Sequence, residues 1–141
     1  MSSTISKQEG QDIYILHTYP FKETSLIAEL FSKNHGRIPA VAKGARRPRS
    51  SLRGMLQSFQ LLQATWSGRG EIKTLHNIEW CDKFLQVNGG ALICGFYINE
   101  LIMRLLPRED THKDLFDFYH HTMMVLSDGA NLEVALRRFE L

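Results

Sequence analysis

Between Leu30 and Gly70 the chain has no aspartate and no glutamate. The same stretch carries eight basic residues, Lys33, Arg37, Lys43, Arg46, Arg47, Arg49, Arg53 and Arg69, five of them within KGARRPRSSLRG. With no acid among them, these side chains cannot neutralise one another. A block of one sign that dense points to a counter-charge from outside, and a phosphate backbone is the usual one. The bias is local. Residues 1–80 hold 11 basic and 6 acidic side chains, whereas 81–141 hold 6 and 9, so the net charge of +2 conceals two unlike halves. That asymmetry suggests a nucleic-acid-binding part joined to a part with another task.

Other scarcities narrow the function. The two cysteines, Cys81 and Cys94, fit neither a zinc spacing nor a disulfide framework and read as reduced thiols of a cytosolic protein. The amino terminus, MSSTISKQEGQ, lacks the apolar core of a signal peptide. The greasiest segment, Ala91 to Leu106, is interrupted by Asn99, Glu100 and Arg104 and is no membrane span. A soluble, cytoplasmic chain with no membrane contact is expected.

Catalytic signals are equally thin. HExxH, a P-loop and GxSxG are absent, and Gly68-Arg69-Gly70 is half a dinucleotide fingerprint. His120 and His121 are adjacent and diverge on a helix, unlike an i, i+4 ligand pair; His17, His35 and His76 are scattered. Glu109, Asp110, Asp114 and Asp117 gather around a helix start, where they complement its dipole. A metal nuclease is the weaker reading of that cluster. No catalytic residue, metal or cofactor is expected; the chain reads as a binding protein.

The first eighty residues alternate short strand patterns with turn signals. Strands are expected at Asp12–Tyr19, Ser25–Phe31, Arg37–Lys43, Phe59–Trp66 and Glu71–Glu79. Asn34-His35-Gly36 makes one tight connection, and Ser67-Gly68-Arg69-Gly70 makes a hairpin. Pro39 lacks a ladder donor, which places its strand at an edge or at a bulge. Five strands with one long excursion suit a small closed barrel, an OB-fold first and an SH3-like barrel second. From about Phe84 the period becomes helical. Ala91–Leu106 is apolar almost all round, as in a central bundle helix, and Pro107 stops it. Thr111 and Asp114 approximate a capping box for a second helix through Leu126. Asp128-Gly129 ends that helix, and Asn131 caps a third, LEVALRRFEL. The fold class is therefore α+β: an OB-fold barrel over residues 1–80, then a small helical domain over 81–141, joined at Cys81–Gly90. Leu92, Ile93, Phe96, Leu101, Leu105, Leu115, Phe116, Phe118 and Met123 are expected to buttress the barrel.

With those elements in place, four strings carry a resemblance. YPFKETSLIAELFSKNHGRIPAVAKGARRPRSSLRGMLQSFQ, followed by SGRGEIKTL, resembles the amino-terminal OB domain of the bacterial recombination mediator RecO. GFYINELIMRLLPRED and ALRRFEL are similar to that family's helical domain. The resemblance implies a nucleoid-associated DNA-repair protein that binds single- and double-stranded DNA and anneals complementary strands. It also implies engagement of single-strand-binding protein (SSB) and, with RecR, help in loading RecA. Family members typically continue beyond the position matched by Leu141, often with a four-cysteine zinc site, so the helical domain is expected to be truncated.

The residues support DNA binding without the family. Arg46, Arg47, Arg49 and Arg53 lie between Gly44 and Gly54 beside two serines, and an arginine fork can hold a phosphate bidentately or stack on a base. Arg37, Lys43, Arg69 and Lys73 complete the expected nucleic-acid set. If about six of these meet single-stranded phosphates, log affinity falls against log salt with a slope of roughly −4. Among the aromatics Tyr14, Tyr19, Phe21, Phe59 and Trp66, most are needed as core, and Phe21 beside Lys22 is the first candidate to stack on a base. For the SSB tail, which the resemblance brings to the helical domain, Arg137 and Arg138 are the expected cations, with Arg104 and Arg108 second. The alternative function is an interaction module that docks RecR or the SSB tail, with DNA contact secondary.

Overall fold

The segment DIYILHTY lacks strict alternation because both of its faces are covered. In the computed structural model, which describes residues 7–81 and 87–127, Ile13, Tyr14, Ile15 and Leu16 are buried in succession. Ile13 and Ile15 join Leu30, Ile38, Leu62, Trp66 and Ile78 inside a barrel. Tyr14 and Leu16 join Phe31 and the helical residues Ile98, Ile102, Phe116 and Tyr119 in a second cluster. One strand thus separates two cores.

Five strands, β1 (Lys7–Phe21), β2 (Ser25–Ser32), β3 (Gly36–Ala42), β4 (Leu62–Ser67) and β5 (Lys73–Trp80), close in the order β1-β2-β3-β5-β4. All neighbours run antiparallel except β3 and β5, which pair in parallel at Ala40↔Lys73 and Val41↔Thr74. This closure is that of an OB-fold, which settles the barrel against the SH3-like alternative. β1 begins earlier than its hydrophobic pattern predicts. Lys7 to Ile13 pair with β4 and Ile13 to Phe21 with β2, so its polar first half is held by ladder hydrogen bonds and has no apolar face to announce it. The ladder slips between Ile15 and His17, and α1 makes use of the slip: the buried Asn99 side chain donates to the carbonyl of Leu16 (3.2 Å) and accepts from the Tyr119 hydroxyl. Pro39 sits in an unbroken β2–β3 ladder, without the expected bulge. On its other side β5 pairing begins only at Ala40, so the missing donor costs nothing there.

Two described helices follow, α1 (Gly90–Leu105) and α2 (Lys113–Ser127). Leu106 is extended, as the residue before a proline prefers, and ends α1. The capping box does not form: the Thr111 hydroxyl donates instead to the carbonyl of Asn34. The buttressing expectation is also corrected in part. Phe116 and Met123 are buried, and Leu115 packs beside them. Leu92, Ile93, Phe96, Leu105 and Phe118 stay exposed, Ile93 and Leu105 by 74% and 76%. The buried face of α1 is Ala91, Gly95, Ile98, Asn99 and Ile102, small or polar enough to let the helix lie close on the barrel. A Cβ on Gly95 would stand 2.7 Å from the Phe59 ring. Among the described residues, Cys81 and Cys94 form no disulfide. The expected third helix, with Asp128-Gly129, Asn131, Arg137 and Arg138, lies outside the described residues.

Candidate nucleic-acid interface

The long β3–β4 connection folds as a chain of turns. Backbone N–H groups of Ala45, Arg47, Ser50, Arg53 and Met55 each donate to the carbonyl three residues earlier. Ala45 is fully buried, and Leu52, Met55 and Leu56 pack on the barrel core, so the loop is anchored by its apolar residues while its cations face water. Lys43, Arg47, Arg49 and Arg53 are exposed. Among the described residues these four make no ion pair and no side-chain hydrogen bond. They keep their full complement of donors for a ligand.

The other predicted cations divide differently. Arg37 is committed within the protein: its guanidinium binds the Glu29 carboxylate at 2.8 Å and the Leu106 carbonyl at 2.9 Å. Glu29 is fully buried, and Arg108 reaches its second oxygen at 2.6 Å while also binding Glu71 at 2.9 Å. Those hydrogen bonds outweigh the burial that opposes its charge and hold the Arg108 pKa above its ordinary value. This arginine–glutamate–arginine tie fastens the α1–α2 connection to the barrel, and it commits Arg108, one of the expected tail-binding cations, to two of the protein's own carboxylates. Arg104 is exposed and pairs with Glu100 one turn before it. Lys73 is nearly buried, donating to the Gly70 carbonyl and lying 3.8 Å from Glu109. Arg69 is exposed on the β4–β5 hairpin. The carboxylates once grouped as a nuclease alternative are dispersed, Glu109 to Lys73, Asp117 to Lys33 and Asp110 towards His112.

Arg46 does something the charge pattern does not reveal. Its Nη2 donates to the carbonyls of Lys22 (2.7 Å) and Glu23 (2.5 Å), and its Nε donates to that of Ser25 (3.1 Å). Its backbone N–H takes the carbonyl of Thr24 at 2.8 Å. The three carbonyls of the β1–β2 turn and that of Ser25, the first residue of β2, are therefore held by one residue of the basic loop.

Between that turn and the loop lies a cleft of about 310 Å³, lined by Phe21, Lys22, Thr24, Ser25, Val41, Lys43, Gly44 and Arg47. None of the lining residues is acidic. The Lys22 ammonium stands 5.3 Å from the Phe21 ring centroid, leaving Phe21 half-buried at the wall. Cross-strand pairing puts Phe21, Tyr19 and His17 on one outer face of β1, opposite Ser25, Ile27 and Glu29. His17 and Tyr19 stack at 5.9 Å. Tyr14, Phe59 and Trp66 are core. The place of His17 in this row is set by strand register and not by composition. A second cavity, of about 150 Å³, is lined by His35, Trp66, Lys73 and Glu109 among others, and its lysine is already paired. Of these two, the first has uncommitted positive charge among the described residues.

Comparison with known proteins bears on the whole chain. The family model "Recombination protein O N terminal" matches residues 6–84, and "Recombination protein O C terminal" matches 86–141. The chain belongs to the RecO family. It is 52% identical over 134 residues to a protein of Nitrosospira multiformis named DNA repair protein RecO, covering 95% of this chain and 55% of the relative. Proteins of the same name from Dechloromonas aromatica and Ralstonia nicotianae are each 49% identical, over 96% and 92% of this chain and 57% and 48% of the relatives. The chain thus spans about half the length of the curated RecO relatives it matches. Among the described residues, no helix is long and apolar enough to cross a membrane.

Proposed function

We propose that this chain is the DNA-binding portion of a recombination mediator in DNA repair. It binds single- and double-stranded DNA through the β3–β4 loop and the adjoining cleft, with Lys22, Lys43, Arg47, Arg49 and Arg53 on phosphates; Arg69, on the β4–β5 hairpin, stands outside this set. Annealing follows from charge neutralisation, which lowers the repulsion between two strands and needs no catalytic group. With RecR, the full-length protein then helps load RecA on SSB-coated DNA. The single observation that carries this reading is the anchored loop whose four exposed cations have no partner among the described residues. RecO membership and the OB barrel, a fold that binds oligonucleotides across its second and third strands, lend it support. Fluorescence anisotropy of a labelled single-stranded oligonucleotide tests it: micromolar or tighter binding is expected, and no binding by the folded chain refutes it.

A second reading, docking of RecR or the SSB tail with DNA contact secondary, has one observation in its favour. Leu92, Ile93 and Phe96 form an exposed apolar patch on the first turns of α1. Under this reading a pull-down, and not DNA affinity, responds to charged substitutions at Ile93.

A further inference from the structure

We infer that the cleft between the β1–β2 turn and the basic loop is a subsite for one unpaired nucleotide, and that Arg46 is the residue that holds its walls at their spacing. This deepens the DNA-binding reading and rests on it. One wall is the turn, with Phe21 and Lys22; the other is the start of the loop, with Lys43, Gly44 and Arg47. Strand pairing alone does not couple them, since the β2–β3 register ends at Leu26↔Ala42 and the β1–β2 register at Phe21↔Ser25. Beyond those pairs the connection is made by Arg46, whose four hydrogen bonds span Lys22 to Ser25, and by the Gly44 N–H, which donates to Ser25 Oγ at 3.2 Å.

The chemistry of the walls selects the ligand. A half-buried aromatic ring offers a stacking face, and three cations stand around it with no carboxylate in the lining. A base on the ring with its phosphate between Lys43 and Arg47 satisfies both features. At about 310 Å³ the cleft is at the small end of ligand sites, suited to a single base and not to a duplex. Bases in a duplex are stacked on each other and have no free face to give Phe21. The subsite therefore confers a preference for single strands on a surface whose outlying cations accept either form. Gly44 contributes too: at φ 68 it takes the left-handed conformation that turns the loop away from β3, with the Arg47 guanidinium 3.7 Å from where a Cβ would be.

In this role Arg46 acts through its neighbours and is not itself the phosphate ligand. Lysine at 46 keeps the charge, but its three donors radiate from one nitrogen on a flexible stem and do not reproduce the fixed spacing of Nε and Nη2 that meets these carbonyls. The test compares the wild-type chain with Phe21→Leu, Arg46→Lys and the Arg47/Arg49/Arg53→Ala triple variant. Each is titrated by anisotropy with labelled oligothymidylate and with a blunt duplex across a range of salt, and each fold is checked by circular dichroism and thermal melting. Phe21→Leu is expected to weaken single-strand binding by roughly 5- to 150-fold, the value of one stacked base, and to leave duplex binding unchanged. Arg46→Lys is expected to weaken single-strand binding with no change in salt slope, since the number of cations is the same. Wild-type single-strand affinity in Arg46→Lys, or equal binding by Phe21→Leu and wild type, overturns the subsite. If those two bind normally while the triple variant fails, DNA binding stands and the subsite alone falls. If the folded wild type binds neither oligonucleotide, both fall together. Should Arg46→Lys melt early, Phe21→Leu decides the matter alone.

Discussion

The salt dependence of DNA binding follows from counting which cations the fold leaves free. Lys43, Arg47, Arg49 and Arg53 are exposed and unpaired among the described residues, and Lys22 adds a fifth at the cleft wall. Each phosphate neutralised on a single strand contributes about −0.7 to the slope of log affinity against log salt, so five contacts give roughly −3.5. This is shallower than the sequence-based figure, because Arg37, Arg46 and Lys73 are spent inside the protein. Between 50 and 200 mM salt, wild-type affinity then falls by roughly 100-fold. Replacing Arg47, Arg49 and Arg53 with alanine leaves two contacts, a slope of about −1.4 and a loss of roughly sevenfold over the same range. Anisotropy with oligothymidylate at four or more salt concentrations measures both slopes. Lys73→Ala is the control, expected to bind weakly or strongly with an unaltered slope. A triple variant retaining the wild-type slope, or a Lys73→Ala slope reduced as much as the triple variant's, would refute the assignment of free and committed cations.

Three further outcomes concern the frame behind the site. Arg37→Ala leaves the buried Glu29 with Arg108 as its remaining cation and should lower unfolding free energy in urea by about 3 kcal/mol, the low end for breaking a buried ion pair; a loss no larger than that of Arg49→Ala contradicts the tie. Gly36→Ala drives its Cβ into the Asp110 backbone and strains a φ of 72, so a cost of at least about 1–2 kcal/mol is expected from the backbone alone; an unchanged melting temperature argues against that packing. Burial lowers the His120 pKa, and its Nδ1 hydrogen-bonds the Tyr14 hydroxyl, whose own pKa burial raises. The folded state therefore favours neutral His120, so stability is fully present above the unfolded pKa near 6.5 and declines as pH falls from there towards the lower folded value. Melting temperatures taken from pH 7.5 to 5.5 should fall less steeply in His120→Gln than in wild type, and parallel curves would exclude His120 as a source.

Much of this architecture is written in local pattern. Turn residues at Asn34-His35-Gly36 and Ser67–Gly70, β-branched runs between them and a change to helical spacing after Phe84 set the element order. Pro107 and the extended residue before it set the end of α1. The acid-free window set where excess positive charge must appear. Tertiary structure decided which of those charges remain available. Glu29 lies one position outside the acid-free window, yet register brings it against Arg37 on β3 and Arg108 arrives from seventy-nine residues away. Arg46 and Arg47 are adjacent and chemically identical; one holds the four carbonyls from Lys22 to Ser25 and the other faces an open cleft. Composition cannot separate them, because hydrogen-bond partners are assigned by chain reversal and strand closure. The same holds for the apolar residues: Phe116 is core and Phe96 exposed, although both read as buried from periodicity, because α1 packs on the barrel through Gly95 and Asn99. Local sequence determined the elements and the sign of the surface. Contacts between residues far apart in the chain determined which side chains were consumed in holding it together and which were left to bind.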